Sequence, residues 1–143
     1  MSNYYPPVGF HFLVEFANHS DECQFQSVSG LSVDMETEEI KEGGENRFTH
    51  KLPVRAQYPN LILKRGLQVN SGLLNWCRDG IENFKIEPTD LIIKLLNEKS
   101  EPLMSWNVVQ AWPVKWAISD FNAEENQLVV ETLELTYSYF KTL

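Results

Sequence analysis

Between residues 129 and 139 the side chains alternate. Val129, Leu133, Leu135, Tyr137 and Tyr139 fall on one face, and Thr132, Glu134, Thr136 and Ser138 on the other. A period of two is the mark of a strand with one buried face, because successive Cβ atoms of an extended chain point to opposite sides. The same period recurs through most of the chain. Phe10, Phe12, Val14 and Phe16 share a face, with His11 and Glu15 opposed. From residue 24 to 35 the pattern is looser: Phe25 is in phase with Leu31, Val33 and Met35, and Ser29-Gly30 marks a bend or bulge. Leu61-Ile-Leu-Lys-Arg65 reads as a strand. Leu91, Ile93 and Leu95 alternate with Ile92, Lys94 and Leu96 after the start signal Pro88-Thr-Asp90. Trp106, Val108, Gln110 and Trp112 form one face of the next strand, until Pro113 restricts it to an edge or a bend.

One segment departs from this period. Leu73, Cys77 and Ile81 recur at i, i+4, i+8, Leu74 and Trp76 widen the stripe, and Asn70 or Ser71 supplies a cap. A helix over about residues 70–81 follows, with Gly80 as its stop. Seven or eight strands and one helix without βαβ alternation predict a mainly β chain, a barrel or sandwich with the helix packed at an open side or end. At 143 residues it is long enough for a single domain over 1–143 with a continuous core.

Charge and cysteine usage exclude several classes. The 20 acidic residues outnumber the 12 basic ones, leaving a net charge of −8 that disfavours a phosphate-neutralising surface. No apolar run reaches the roughly 20 residues that span a bilayer. Residues 1–7 lack the basic and apolar regions of a signal peptide, which makes the cytosol the default site of synthesis. Cys23 and Cys77 stand far apart in the sequence and read as reduced thiols. His11, His19 and His50 supply no ligand spacing for a metal. No G-x-S-x-G occurs, and Gly43-Gly44 lacks the Lys-Ser/Thr ending of a phosphate loop. His50 near Asp34 and Glu45 reads as a solvated or interface histidine before it reads as an acid–base group. Neither catalytic residues nor a cofactor are expected.

Two cassettes remain, Leu61-Ile-Leu-Lys-Arg-Gly-Leu67 and Ala111-Trp-Pro-Val-Lys-Trp116. Each sets cations inside a stretch that otherwise reads as buried strand. A subunit that buries sheet edges and charges against copies of itself has a use for that. Lys64 and Arg65 lie on opposite faces of a strand, so at most one points into a core. Either one pairs across a subunit interface, or both snorkel at the surface. Trp106, Trp112 and Trp116 fit core or interface packing better than a stacking platform, and Phe12, Phe16, Trp76, Trp112 and Trp116 are the expected core aromatics. Residues 34–52 stand apart, acidic in their first half, then Gly43-Gly44, then Arg47, His50 and Lys51. They read as a long solvated hairpin, or as an arm pairing with a neighbouring subunit through Ile40, Glu42, Gly43, Gly44, Glu45, Asn46 and Arg47, with Lys64 and Arg65 completing the interface.

Taken in order, Phe10-His-Phe-Leu-Val-Glu-Phe16, Val28-Ser-Gly-Leu31, Glu42-Gly-Gly-Glu-Asn46, His50-Lys-Leu-Pro53, the two cassettes, Leu74-Asn-Trp76 and Glu131-Thr-Leu-Glu-Leu135 resemble the tail tube proteins of contractile phages. The resemblance is greatest to the inner tube proteins of phage-tail-like contractile injection systems, and the type VI secretion tube protein is similar at greater distance. Val54 stands where such sequences often carry Gly. The resemblance implies a tail-tube fold and homohexameric rings stacked into a hollow tube driven through a target envelope. The partners it implies are further copies, a contractile sheath protein, baseplate and tube-initiating proteins, a tube-terminating cap and lumenal cargo, in a particle that is cytoplasmic, membrane-anchored or released. A baseplate-proximal ring or adaptor on the same fold is the alternative, and an unrelated small ligand-binding barrel a third.

Overall fold

The structure, a computed structural model, describes residues 10–18, 22–40, 49–67, 71–119 and 129–143. In chain order the elements are β1 (His11–Phe16), β2 (Glu22–Phe25), β3 (Ser27–Ser29), β4 (Asp34–Ile40), β5 (His50–Gln57), β6 (Leu61–Gly66), α1 (Gly72–Glu82), β7 (Thr89–Leu96), β8 (Pro102–Ile118), β9 (Val130–Thr136) and β10 (Tyr139–Thr142). The strands exceed the seven or eight expected because the loose 24–35 region, the 34–52 arm and the final strand each divide.

Eight strands form one antiparallel sheet in the order β2-β1-β7-β8-β9-β6-β3, with β10 joined to β8. The two ends of this path, β2 and β3, are neighbours in sequence. Gln26 between them donates its N–H to the Lys64 carbonyl at 2.8 Å, so the sheet curls back on itself. The result is barrel-like. Gly30 makes the turn out of β3 possible: its φ is +94°, and an added Cβ would collide with the Asn60 carbonyl oxygen.

The alternation read from sequence sets the core. Leu61 and Leu63 of β6, Leu133 and Leu135 of β9, Leu91 and Ile93 of β7, and Val14 and Phe16 of β1 all point inward and are buried. Each stabilises the fold by about 1.5–3 kcal/mol through apolar burial. Of the expected core aromatics, Phe16 and Trp76 are buried and their rings meet edge to face at 5.6 Å. Phe12 and Trp112 are half-buried against the core cluster.

Strand β8 does not keep its phase. Thr89 pairs with Ala111 but Leu91 with Val108, so an extra residue bulges out at Gln110, whose φ is +57°. Its N–H is received by the Asp90 carboxylate at 2.9 Å. The expected single face of Trp106, Val108, Gln110 and Trp112 is therefore broken: Gln110 is exposed and Ala111 is buried. A second register shift lies between Pro113 and Lys115. It leaves Val114 as the extra residue, 37% exposed, rather than in phase with Trp112 and Trp116. Each bulge reverses the inward and outward faces beyond it.

The helix begins where Ser71 accepts the Leu74 N–H on its hydroxyl at 3.1 Å. It does not stop at Gly80. It continues to Glu82 with Asn83 as C-cap, and Gly80 is instead buried against β8, where a Cβ would lie 3.0 Å from Pro113 Cγ. The glycine is there for close helix–strand approach.

Candidate assembly surfaces

The cation expected at an interface is inside the subunit. In the β6–β9 ladder Arg65 stands directly opposite Glu131. Both have the inward phase of their strands, and their side chains are 2% and 4% exposed. Arg65 Nε donates to Glu131 Oε2 at 2.9 Å, and its Nη2 donates to the Ser71 hydroxyl at 3.2 Å. Trp116 Nε1 donates to the other carboxylate oxygen at 2.7 Å. The guanidinium also lies over the Phe25 ring, 5.1 Å from its centroid. One ion pair thus ties β6, β9, the capping residue of α1, β8 and β2 together. This corrects the assignment of Arg65 to an intersubunit contact: the acid that neutralises it comes from its own chain. Trp116, expected in the core, is half-buried with its indole nitrogen committed to that pair.

Cys77 sits beside this pair. Burial, with a smaller contribution from the Glu131 charge, pushes its thiol up to about 12, so it stays protonated and inert at neutral pH. Among the described residues no cluster of three or more His, Cys, Asp or Glu side chains is placed to hold a metal ion.

Lys64 behaves differently from its neighbour. It points outward and is exposed. Ile40, 43% exposed, ends β4 opposite His50. Glu42, Gly43, Gly44, Glu45, Asn46 and Arg47 lie outside the described residues.

The arm is a hairpin. Among the described residues, strands β4 and β5 pair only with each other, as a separate two-stranded sheet. Almost every residue in it is exposed. Its acidic strand is partly neutralised from within, since Arg55 Nε donates to Glu36 at 2.9 Å and Glu39 faces Lys51 across the ladder. Exposed pairs of this kind contribute little stability. Complementary partners are therefore not required for every charge of the arm. The apolar side chains are another matter. Val33, Met35, Ile40, Leu52 and Val54 are each between 43% and 58% exposed. Ile40 and Leu52 share a face, and Val54 is the extra residue of a bulge opposite the Glu36–Thr37 step. A two-stranded hairpin with exposed apolar residues and two open edges is marginal alone in water.

Other exposed surfaces were not legible as sites. Leu103, Met104, Tyr139 and Leu143 are exposed. Leu103 and Met104 lie at the start of β8, Leu143 donates its N–H to the Ser105 carbonyl next to them, and Tyr139 opens β10 opposite Val109. Phe84, just past α1, is 84% exposed at φ +53°.

The chain matches the family described as T4-like virus tail tube protein gp19 over residues 8–141. It belongs to that family. Among solved structures this tail tube protein is similar to a chain of the anti-feeding prophage baseplate, a six-fold symmetrised structure, with 32% identity and a TM-score of 0.81 over 100% of this chain and 97% of the other. It is similar to a chain of the sheath–tube complex of the extracellular contractile injection system PVC, at 29% identity and TM-score 0.79, covering 98% of this chain and 93% of that one. It also shares its fold with Hcp1 from Flavobacterium johnsoniae, at 15% identity and TM-score 0.60 over 92% and 94% of the two chains. No curated protein sequence matches it. The molecule is thus a tail-tube-like protein of contractile injection systems, and its family is structural.

Proposed function

We propose that this tail tube protein is the repeating subunit of an inner tube, assembling as homohexameric rings that stack into a hollow conduit. The observation that carries the reading is the β4–β5 hairpin. The curled sheet and helix bury a continuous core without it, and it holds out apolar side chains and strand edges that no other described element pairs with. A ring that repeats requires unlike surfaces on each copy, one that projects and one that receives, and β-strand addition is the matching mode of contact. In this reading Ile40, Lys64 and residues 42–47 meet neighbouring copies. A contractile sheath surrounds the tube, a baseplate and tube initiator seat its first ring, a cap ends it, and cargo travels in the bore. The particle is phage-tail-like, its subunits made in a bacterial cytoplasm, and the subunit acts as a conduit rather than an enzyme.

A second reading, a baseplate-proximal ring or adaptor, is favoured by one observation: the 32% identical chain belongs to a baseplate structure. Electron microscopy of the purified chain separates them. A tube subunit gives long hollow stacks that Leu52→Glu abolishes while leaving the subunit's melting temperature unchanged. Single rings from the parent chain, under conditions that pack it densely, favour the adaptor.

A further inference from the structure

The arm joins the body at a gap in its own hairpin. Strands β3 and β6 pair from Ser27 opposite Lys64 to Ser29 opposite Ile62, and β4 and β5 pair again from Asp34 opposite Gln57 onward. The two ladders belong to one excursion of the chain, yet residues 30–33 and 58–61 contribute no rung to either. Two residues account for the break. Gly30 leaves the extended region at φ +94°, and Pro59 has no N–H to donate. Across this gap, backbone pairing does not hold the direction in which β4 and β5 leave the body.

Side chains hold it instead. On one leg Leu31 packs against the core cluster. On the other the Tyr58 ring meets Tyr137 edge to face at 5.9 Å and Phe140 at 5.2 Å. Tyr137, just past β9, and Phe140, in β10, are themselves packed against the core. The Tyr137 hydroxyl is buried without a hydrogen-bond partner among the described residues, so its ring rather than its polar end serves the cluster. Asn60 adds a tie, its Nδ2 donating to Glu134 Oε2 at 3.1 Å, but that bond is exposed.

We propose that Tyr58, seated on Tyr137 and Phe140, is the positioning residue of the arm and sets the direction of the β4–β5 hairpin before a neighbouring copy is met. The proposal rests on the tube-subunit reading and names what prepares its projecting surface. An arm free to swivel is competent for a neighbour only part of the time, and its apparent affinity falls by that fraction. Holding the arm in one direction removes that loss in advance.

Two measurements on the full-length chain test it. Spin labels on cysteines at the exposed positions Glu38 and Lys99 report the distance from arm to body, in subunits kept below the assembly concentration; Cys23 and Cys77 are buried and stay unlabelled. The distance distribution is narrow in the parent and in Tyr58→Phe, which keeps the ring, and broad in Tyr58→Ala. In the second, the protein concentration needed for assembly rises roughly tenfold in Tyr58→Ala, the loss of two ring contacts, and Tyr58→Phe restores it. A narrow distribution in Tyr58→Ala, or a broad one in the parent, overturns the positioning role and leaves the tube reading intact. A broadened Tyr58→Ala that assembles at the parent's concentration overturns the part of Tyr58 in assembly. A parent chain that forms no assembly overturns the tube reading, while the distances still judge Tyr58.

Discussion

Replacing Glu131 by Gln isolates the charge at the centre of the fold. The amide oxygen still accepts from Trp116 Nε1, which donates to the carboxylate at 2.7 Å. The volume is unchanged, so no cavity forms. What is lost is the negative charge facing Arg65, whose guanidinium is 2% exposed and 2.9 Å away. Breaking a buried pair by removing one partner costs about 3–5 kcal/mol, because an uncompensated charge is left in a low-dielectric interior. A chain of 143 residues has an unfolding entropy of roughly 0.3 kcal/mol per kelvin, which converts that loss into a fall of roughly 10–17 °C in Tm. The control is the double variant Arg65→Met with Glu131→Leu. Apolar replacement of a whole buried pair is often neutral, offset here by orphaning Trp116 Nε1 at about 1 kcal/mol, whereas Ser71 Oγ keeps the Leu74 N–H. It should lie within about 2 kcal/mol of the parent. Urea unfolding of the dissociated subunit, followed by tryptophan fluorescence, reads both. A Glu131→Gln variant within about 1 kcal/mol of the parent would refute the argument, showing that the carboxylate does not neutralise Arg65 in the folded chain.

Three further outcomes follow from the structure. Cys77 and Tyr137 are both raised to about 12 by burial, from ordinary values of 9.0 and 10.0. Each holds its proton more tightly when folded, so the stability it adds is complete below its ordinary pKa and is lost as pH rises toward 12. The urea midpoint should therefore fall above about pH 9, and Cys77→Ala should flatten the first part of that fall. Gly30→Ala forces a left-handed residue and a collision with the Asn60 carbonyl, so it should cost about 1–3 kcal/mol or more, read as a lower Tm; a parent-like Tm counts against the β3 turn. Lys64→Glu reverses an exposed cation on β6, so subunit stability should stay within about 0.5 kcal/mol while tubes shorten. Unchanged tube length removes Lys64 from the stacking surface.

How much of this was readable in the sequence depends on what each feature needed. The strands around Val14, Leu63, Ile93 and Leu135 and the Ser71-capped helix are local patterns, and the period alone reveals them. The bulges are not local. Gln110 leaves its face because Asp90, on another strand, accepts its N–H, and nothing in the run from Trp106 to Trp116 announces that. Arg65 was visible as a cation with the inward phase of Leu61 and Leu63. Glu131 has the phase of Leu133 and Leu135 too, but nothing local distinguishes it from the chain's other acids. Only the β6–β9 register sets the two face to face. The arm could be delimited from its composition, whereas its internal Glu36–Arg55 pairing required the hairpin register. Phe84 gave no signal, because a positive φ at a non-glycine residue is decided by how the helix closes.

Copy number in the intact particle bears most directly on the central claim. Quantitative mass spectrometry of purified particles, sorted by length, gives the amount of this chain per particle. A tube subunit is present in many rings' worth of copies, and the number rises in proportion to particle length. A constant single ring's worth, whatever the length, would contradict the account and assign the chain to the baseplate or the cap.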